Sequence, residues 1–189
     1  MNKRLIVLSG CSAGGKSTLL AEMNRRGVRV CAEPGRRVVE RQEATVGDGL
    51  PWKNPEKFLQ LCVELALEDF VNANASQEVT LFDRSLVDAI AGLVRIAQRK
   101  NSPQIASDYL PLLARYRYAP KVLLAPPWPE LFHAGRGDER RKHSFDSAVA
   151  EFEHLREYYP TLGYRVAELP RGTVAERADY LQKIVAAAG

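Results

Sequence analysis

The 189-residue sequence contains little cysteine. Its three cysteines, Cys11, Cys31 and Cys62, form no CxxC pair and no metal-ligand spacing, and their odd number argues against a disulfide framework. We therefore expect reduced thiols in core or loop positions.

Long apolar runs are also absent. The longest, near residues 5–8 and 121–127, fall far short of the roughly 20 residues that span a bilayer. No signal peptide precedes them, so we expect a cytoplasmic protein without a transmembrane segment. The net charge is +4, but the basic residues form no single stripe, which disfavours nucleic acid as the main partner.

What the sequence does contain is an alternation of short apolar runs with segments of 3.6-residue periodicity. This pattern is typical of an α/β fold with helices around a parallel sheet. With 46% hydrophobic residues, the chain is long enough for one core and too short for two ordinary domains, so we expect a single domain over residues 1–189. Strands are predicted at residues 4–8, 28–31, 79–82, 121–125 and 164–169.

Helix signals lie between the predicted strands. They indicate helices over residues 17–26, from an N-cap at Asn54 to about residue 72, over 85–98, and after Ser144. A capping box at Thr173 to Glu176 begins a closing helix. Residues 108–118 fit either a helix or an irregular connection.

The sequence GCSAGGKS follows the first strand and precedes a helix. It matches the phosphate loop pattern G-x-x-x-x-G-K-S/T in full, in the context that the pattern requires. Backbone N–H groups of such a loop cradle phosphates, Lys16 bridges the β and γ phosphates, and the Ser17 hydroxyl binds Mg²⁺. The predicted nucleotide contacts are Gly10, Cys11, Ser12, Ala13, Gly14, Gly15, Lys16, Ser17 and Thr18.

A magnesium triphosphate site also calls for a carboxylate at the end of a neighbouring strand. Asp83 ends the apolar run at residues 79–82 and is the candidate for this second metal contact. Its alternative role is the N-cap of the helix that begins near Ser85.

Further polar residues follow the other predicted strands, where ligands of open parallel sheets bind. Glu33 follows strand two, where a carboxylate can accept the proton of an attacking hydroxyl or help to hold the metal. Arg84 can clamp the acceptor or the phosphoryl group in transfer. The alternative role of Glu33 is a solvated glutamate in a turn, and that of Arg84 is a surface ion pair. Arg36 and Arg37 are weaker candidates for a side chain that enters the cleft.

Residues 133–143 combine glycines with four arginine or lysine charges and indicate a lid. Closure would expel water and bring arginine to the γ-phosphoryl group, with Arg136 and Arg140 as first choices and Arg141 behind them. A solvated charged turn is the alternative. A turn at residues 170–173 is a weak candidate for contacts with the nucleotide base.

Taken together, the sequence resembles the P-loop kinase-like proteins grouped as predicted AAA-type ATPases, which are related to the ribosylnicotinamide kinase domain and to nucleoside and thymidylate kinases. The resemblance covers nearly the whole length and rests on these motifs: GCSAGGKS, residues 32–36 (AEPGR), 50–55 (LPWKNP), 82–88 (FDRSLVD), Pro127-Trp128, and 138–141 (DERR).

The resemblance implies a P-loop NTPase fold, a three-layer α/β/α sandwich whose five-stranded parallel sheet has the order 2-3-1-4-5, with a lid. By resemblance, Glu33 acts as base, Asp83 and Arg84 form the pair after strand three, and the lid supplies arginines 136, 140 and 141.

Two classes of nucleotide-binding protein are disfavoured by missing motifs. The sequence has no NKxD tetrapeptide to select guanine, and neither an ABC signature nor the second helical domain of ring-forming AAA machines. ATP is then the expected donor.

The favoured hypothesis is transfer of the γ-phosphate to a hydroxyl or phosphate of a small, nucleoside-like molecule. Its acceptor pocket could include the aromatic rings of Trp52, Phe58, Tyr109 and Tyr116, although such residues are more often core. The alternatives are a nucleotide-dependent switch that acts through a protein or lipid partner, and a slow ATPase.

Overall fold

A computed structural model describes residues 1–12, 14–134 and 144–188. Five strands form one parallel sheet of order β2-β3-β1-β4-β5, as the resemblance implied. The strands are β1 (Leu5–Gly10), β2 (Arg29–Cys31), β3 (Thr80–Asp83), β4 (Lys121–Ala125) and β5 (Arg165–Glu168). The predicted strands agree to within about two residues at most ends, because each is a short apolar run bounded by polar residues.

Helices connect the strands. They are α1 (Lys16–Arg25), α2 (Pro34–Ala44), α3 (Pro55–Asn74), α4 (Leu86–Lys100), α5 (Gln104–Ser107), α6 (Leu110–Arg115), α7 (Pro129–Ala134), α8 (Phe145–Thr161) and α9 (Val174–Ala186). Asn54 caps α3 and a capping box opens α9 at Thr173, as predicted. Residues 108–118, whose sequence fits either a helix or an irregular connection, contain α6. The single turn α5 precedes this segment.

The alternating side chains of β1 divide the core into two layers. Leu5 and Val7 pack in a cluster with α3, α4 and α8, whereas Ile6 and Leu8 pack with α1 and α9 on the opposite face. Because successive side chains of a strand point to opposite faces, the fully apolar run of β1 requires helices on both sides. The result is the three-layer α/β/α sandwich.

The sheet register brings the polar strand ends to one edge. Leu8 of β1 pairs with Asp83 of β3, and Gly10 pairs with Ala125 of β4. Since all five strands are parallel, the loops after β1, β2 and β3 emerge together at this carboxyl-terminal edge. The residues predicted to bind phosphate, metal and acceptor follow those three strands.

Candidate functional site

The loop between β1 and α1, residues 10–17, has the backbone that its glycines permit. Gly10 and Gly15 both have positive φ, 111° and 70°. A side chain at Gly10 would also clash with the Ala125 carbonyl of β4, so the loop leaves the sheet at a position where only glycine fits. Ala13 lies outside the described residues.

Lys16, the first residue of α1, is buried, and its Nζ donates to the Cys11 carbonyl oxygen at 2.8 Å. The ammonium group therefore lies across the loop rather than in solvent. Ser17 and Thr18 follow on the exposed side of the helix start. Burial raises the pKa of the Cys11 thiol although Lys16 opposes the increase, so the thiol stays neutral and fits a packing role.

Asp83 at the end of β3 is 6% exposed, and its Oδ1 has no hydrogen-bond partner in the described structure. Burial raises the pKa of this carboxyl; Lys16 and Arg84 lower it, and Glu33 raises it further. The alternative role as helix cap is excluded, because the N-cap of α4 is Ser85. A buried carboxylate oxygen without a donor fits a cation-binding role.

Arg84 forms ion pairs with three carboxylates that come from different parts of the chain. Its Nε lies 3.0 Å from Glu33 Oε1, and its Nη1 lies 2.9 Å from Glu151 Oε1 on α8 and 3.8 Å from Asp88 Oδ1. Burial lowers the pKa of Arg84, but these three carboxylates outweigh burial and raise it well above its usual range. The guanidinium is therefore permanently charged and fixed in place by Glu33 and Glu151.

Beneath Arg84, buried hydroxyl groups surround the Asp88 carboxylate. The Ser85 Oγ donates to Asp88 Oδ2 at 2.8 Å, the Tyr159 hydroxyl donates to the same oxygen at 2.6 Å, and the Ser9 hydroxyl donates to Oδ1. This cluster of Ser9, Ser85, Asp88 and Tyr159, here called the Asp88 cluster, joins β1, α4 and α8 directly below the phosphate loop.

A second arginine, which is not among the residues predicted from the sequence, lies behind the loop. Arg177 on α9 is 2% exposed, and its Nη2 donates to the Gly14 carbonyl oxygen at 2.9 Å. Its position was visible in the sequence, since Arg177 interrupts the apolar stripe that includes Leu181. The capping pattern Ser85-x-x-Asp88 was likewise readable. Glu151 had no comparable signal, because its role depends on the tertiary approach of α8.

The weaker candidates differ in how they relate to this site. Arg36 is exposed, but its charge is close enough to Asp83 to lower the pKa of that carboxyl. Arg37 is occupied by an ion pair with Asp69 at 2.7 Å. Tyr116 lies at the opposite, amino-terminal edge of the sheet, in a depression of about 560 Å³ that it shares with Met1 and neighbouring residues, so it is no part of an acceptor pocket here. The predicted lid arginines 136, 140 and 141 lie outside the described residues.

Two features are absent from the described residues. No helix among them is long and apolar enough to cross a membrane. Nor do residues 1–12, 14–134 and 144–188 contain a group of three or more His, Cys, Asp or Glu side chains arranged to hold a metal ion. Mg²⁺ sites commonly use one or two protein carboxylates together with phosphate oxygens and water, so the predicted pair of Ser17 and Asp83 does not depend on such a group.

Comparison with known proteins gives a consistent picture of the fold. A family model described as an AAA domain matches residues 5–177. No curated protein sequence matches the chain.

Among solved structures, deoxyadenosine kinase from M. mycoides with the products dCMP and a flexible dCDP is 14% identical, with a TM-score of 0.71 over 96% of this chain and 98% of that chain. The same kinase with bound dATP has a TM-score of 0.64 at 13% identity, over 95% of this chain and 97% of that chain.

Shikimate kinase from Acinetobacter baumannii in complex with shikimate has a TM-score of 0.58 at 12% identity, over 96% of this chain and 92% of that chain. At these identities the likeness establishes the P-loop kinase fold.

Proposed function

We propose that this chain, which belongs to the AAA domain family, transfers the γ-phosphate of ATP to a hydroxyl group of an uncharged small molecule. The observation that carries the proposal is the position of Glu33. Its carboxylate is held by Arg84 at the same sheet edge as Lys16 and Asp83. A nucleotide switch needs only the loop and the metal carboxylate, whereas a fixed carboxylate beside them can accept the proton of an attacking hydroxyl.

The phosphate loop supplies the donor site in this proposal. Its backbone N–H groups and Lys16 bind the phosphates, and Lys16 exchanges its bond to the Cys11 carbonyl for phosphate oxygens. The residues fit Mg²⁺, since Asp83 has a buried oxygen without a partner in the described part of the chain, and Ser17 presents a hydroxyl at the helix start. These two residues would hold the ion, which neutralises phosphate charge when bound.

Glu33 is assigned the role of general base. Arg84 donates to Oε1 and thereby fixes the carboxylate, and Oε2 is the oxygen that accepts the proton of the acceptor hydroxyl in our proposal. The hydroxyl oxygen attacks the γ-phosphorus as the bond to the β-phosphate oxygen breaks, and ADP leaves. Water is excluded when the acceptor fills the space beside Glu33.

The charge balance around Arg84 favours an uncharged acceptor. The Arg84 guanidinium faces Glu33, Glu151 and Asp88, and Arg37 is already paired with Asp69. Arg36 adds one exposed positive charge on this side. The three carboxylates outnumber the guanidinium groups of Arg84 and Arg36 among the described residues, so this side repels a phosphate or carboxylate on the acceptor. A nucleoside or another polyhydroxy compound has the required chemistry.

The direct test is ADP release by the purified protein with Mg²⁺ and ATP, in the presence of matched pairs of compounds such as nucleosides and their monophosphates. We expect stimulation by an uncharged member and none by its phosphorylated partner, with Lys16→Ala inactive. Stimulation by the phosphorylated member alone would overturn the assigned acceptor class. Tight ATP binding without stimulation by any compound would point to the switch or slow ATPase instead.

A further inference from the structure

Arg177 is a buried cation without a carboxylate partner among the described residues. Within them its guanidinium donates one hydrogen bond, to the Gly14 carbonyl, and its central carbon lies 5.6 Å from the centre of the Trp128 ring. Its Nε has no hydrogen-bond partner within residues 1–12, 14–134 and 144–188, and no acidic side chain of those residues forms an ion pair with it. Burial lowers the pKa of Arg177, as expected for a charge taken out of water without compensation.

This arrangement is costly unless a charge of the opposite sign comes close during the working cycle. Buried charges in proteins are normally paired, and leaving one unpaired destabilises the fold. Arg37 and Arg84 illustrate the usual solution, since each is bonded to carboxylates. Arg177 instead touches the loop that is proposed to bind a polyphosphate.

The geometry of the peptide group explains how Arg177 acts through the loop. A trans peptide points its C=O and its N–H in opposite directions. The Gly14 carbonyl points towards Arg177, so the N–H of Gly15 in the same peptide points away from α9. With Gly15 at φ 70°, this N–H belongs to the run of backbone donors that such loops present to phosphate.

Gly15 also shows that the loop and the arginine fit together closely. A Cβ placed on Gly15 would lie 2.6 Å from Arg177 Nη1. The glycine therefore has two roles, since it permits the positive φ and leaves the space that the guanidinium occupies.

We propose that Arg177 is a positioning residue for polyphosphate binding, which orients the Gly14–Gly15 peptide towards the β-phosphate and places a positive charge behind the loop. The inference rests on the proposed function, because it requires a polyphosphate at residues 10–17. Neutralisation of the buried charge by the phosphates then adds to nucleotide affinity.

The test is the affinity of purified variants for MgATP, MgADP and pyrophosphate by titration calorimetry. Arg177→Met keeps the aliphatic stem but removes the charge and the donor, and should weaken all three ligands by a similar factor of about 10 to 100, the range for a lost charged hydrogen bond. Adenosine, which lacks phosphate, should bind the variant and the wild type equally. Lys183→Met removes a charge from an exposed position on the same helix and should change nothing.

Two further readouts separate positioning from a purely structural role. In the transfer assay, Arg177→Met should raise the KM for ATP and leave the KM for the acceptor unchanged. Arg177→Lys retains a charge and a donor and should recover part of the affinity, remaining about threefold or more below the wild type. If Arg177→Met fails to fold, the affinities of Arg177→Lys for the three phosphate ligands test the proposal instead.

The outcomes distinguish this inference from the proposed function. If the wild type binds MgATP and a folded Arg177→Met or Arg177→Lys variant binds all three ligands as tightly, the inference is wrong while the proposed function stands. If the wild type binds none of the three ligands, both are wrong.

Discussion

Glu33 is the residue on which the proposed chemistry depends most. Arg84, which is also paired with Glu151, holds the Glu33 carboxylate in place. The substitution Glu33→Gln preserves the shape of the side chain and an oxygen that accepts from Arg84, while it removes the negative charge and the proton acceptor. Turnover should fall by about 10² to 10⁴, the usual contribution of a general base, while the KM for ATP changes little. Steady-state kinetics measure both constants. The control is Glu40→Gln, an exposed substitution on α2, the helix that begins directly after Glu33. A loss of ATP affinity equal to the loss of turnover in Glu33→Gln would contradict the assigned role.

Asp83 illustrates a conflict between stability and function at the scale of one side chain. Burial raises its pKa in the folded protein above its value in the unfolded chain, so the folded protein holds the proton more tightly. The contribution of Asp83 to stability is therefore greatest at acidic pH, and it decreases as the pH rises through the two pKa values.

Asp83→Asn should consequently stabilise the ligand-free protein at neutral pH. A gain of about 1 kcal/mol would raise the Tm by about 2–4 °C for a chain of this size, and Mg²⁺-dependent transfer should be lost. Thermal unfolding at pH 5 and pH 8 tests this pH dependence. The Tm of the variant should exceed that of the wild type by more at pH 8 than at pH 5. A variant that is less stable than the wild type at pH 8 would show that the ionised carboxylate stabilises the fold.

Among the elements, α8 connects the acceptor side to the strand below the phosphate loop. It contributes Glu151 to Arg84 and the Tyr159 hydroxyl to the Asp88 cluster. Removal of this hydroxyl by Tyr159→Phe leaves Asp88 with one donor fewer in a buried site, at a cost of about 1–3 kcal/mol.

The free energy of unfolding in urea measures that cost. Tyr158→Phe is the matched control, since the neighbouring tyrosine is half-buried outside the cluster and its loss of a hydroxyl should cost little. Equal effects of the two substitutions would contradict the structural role of the Asp88 cluster.

The elements also show what a sequence can and cannot predict. The strands and the phosphate loop were predictable because apolar runs and glycine spacing are local signals, and the N-caps at Asn54 and Thr173 are local as well. The contact of Glu151 with Arg84 was not predictable, since it joins residues 67 positions apart through packing of α8 on the sheet.

Arg177 is an intermediate case. Its interruption of an apolar stripe was visible in the sequence, but the contact with Gly14 depends on how α9 packs beside α1.

At the scale of the whole molecule, nucleotide binding should stabilise the fold. Asp83 Oδ1 and Arg177 Nε have no hydrogen-bond partner among the described residues. In our proposal a bound magnesium nucleotide brings a cation to Asp83 and negative charge near Arg177. At a concentration about 100 times the Kd, MgATP should add about 2.7 kcal/mol and raise the Tm by about 5–10 °C. Thermal unfolding with and without MgATP checks this, and Lys16→Ala should respond far less. An unchanged wild-type Tm at millimolar MgATP would indicate that the site does not bind the nucleotide.

Phosphoryl transfer is tested most directly by the fate of a labelled γ-phosphate when wild-type protein and Mg²⁺-ATP are incubated with an uncharged acceptor that stimulates ADP release. We expect the label on a hydroxyl of that acceptor, with a mass gain of one phosphate, and we expect Glu33→Gln to slow its appearance greatly. Label recovered only as inorganic phosphate, at a rate that no acceptor changes, would contradict phosphoryl transfer and identify a hydrolase.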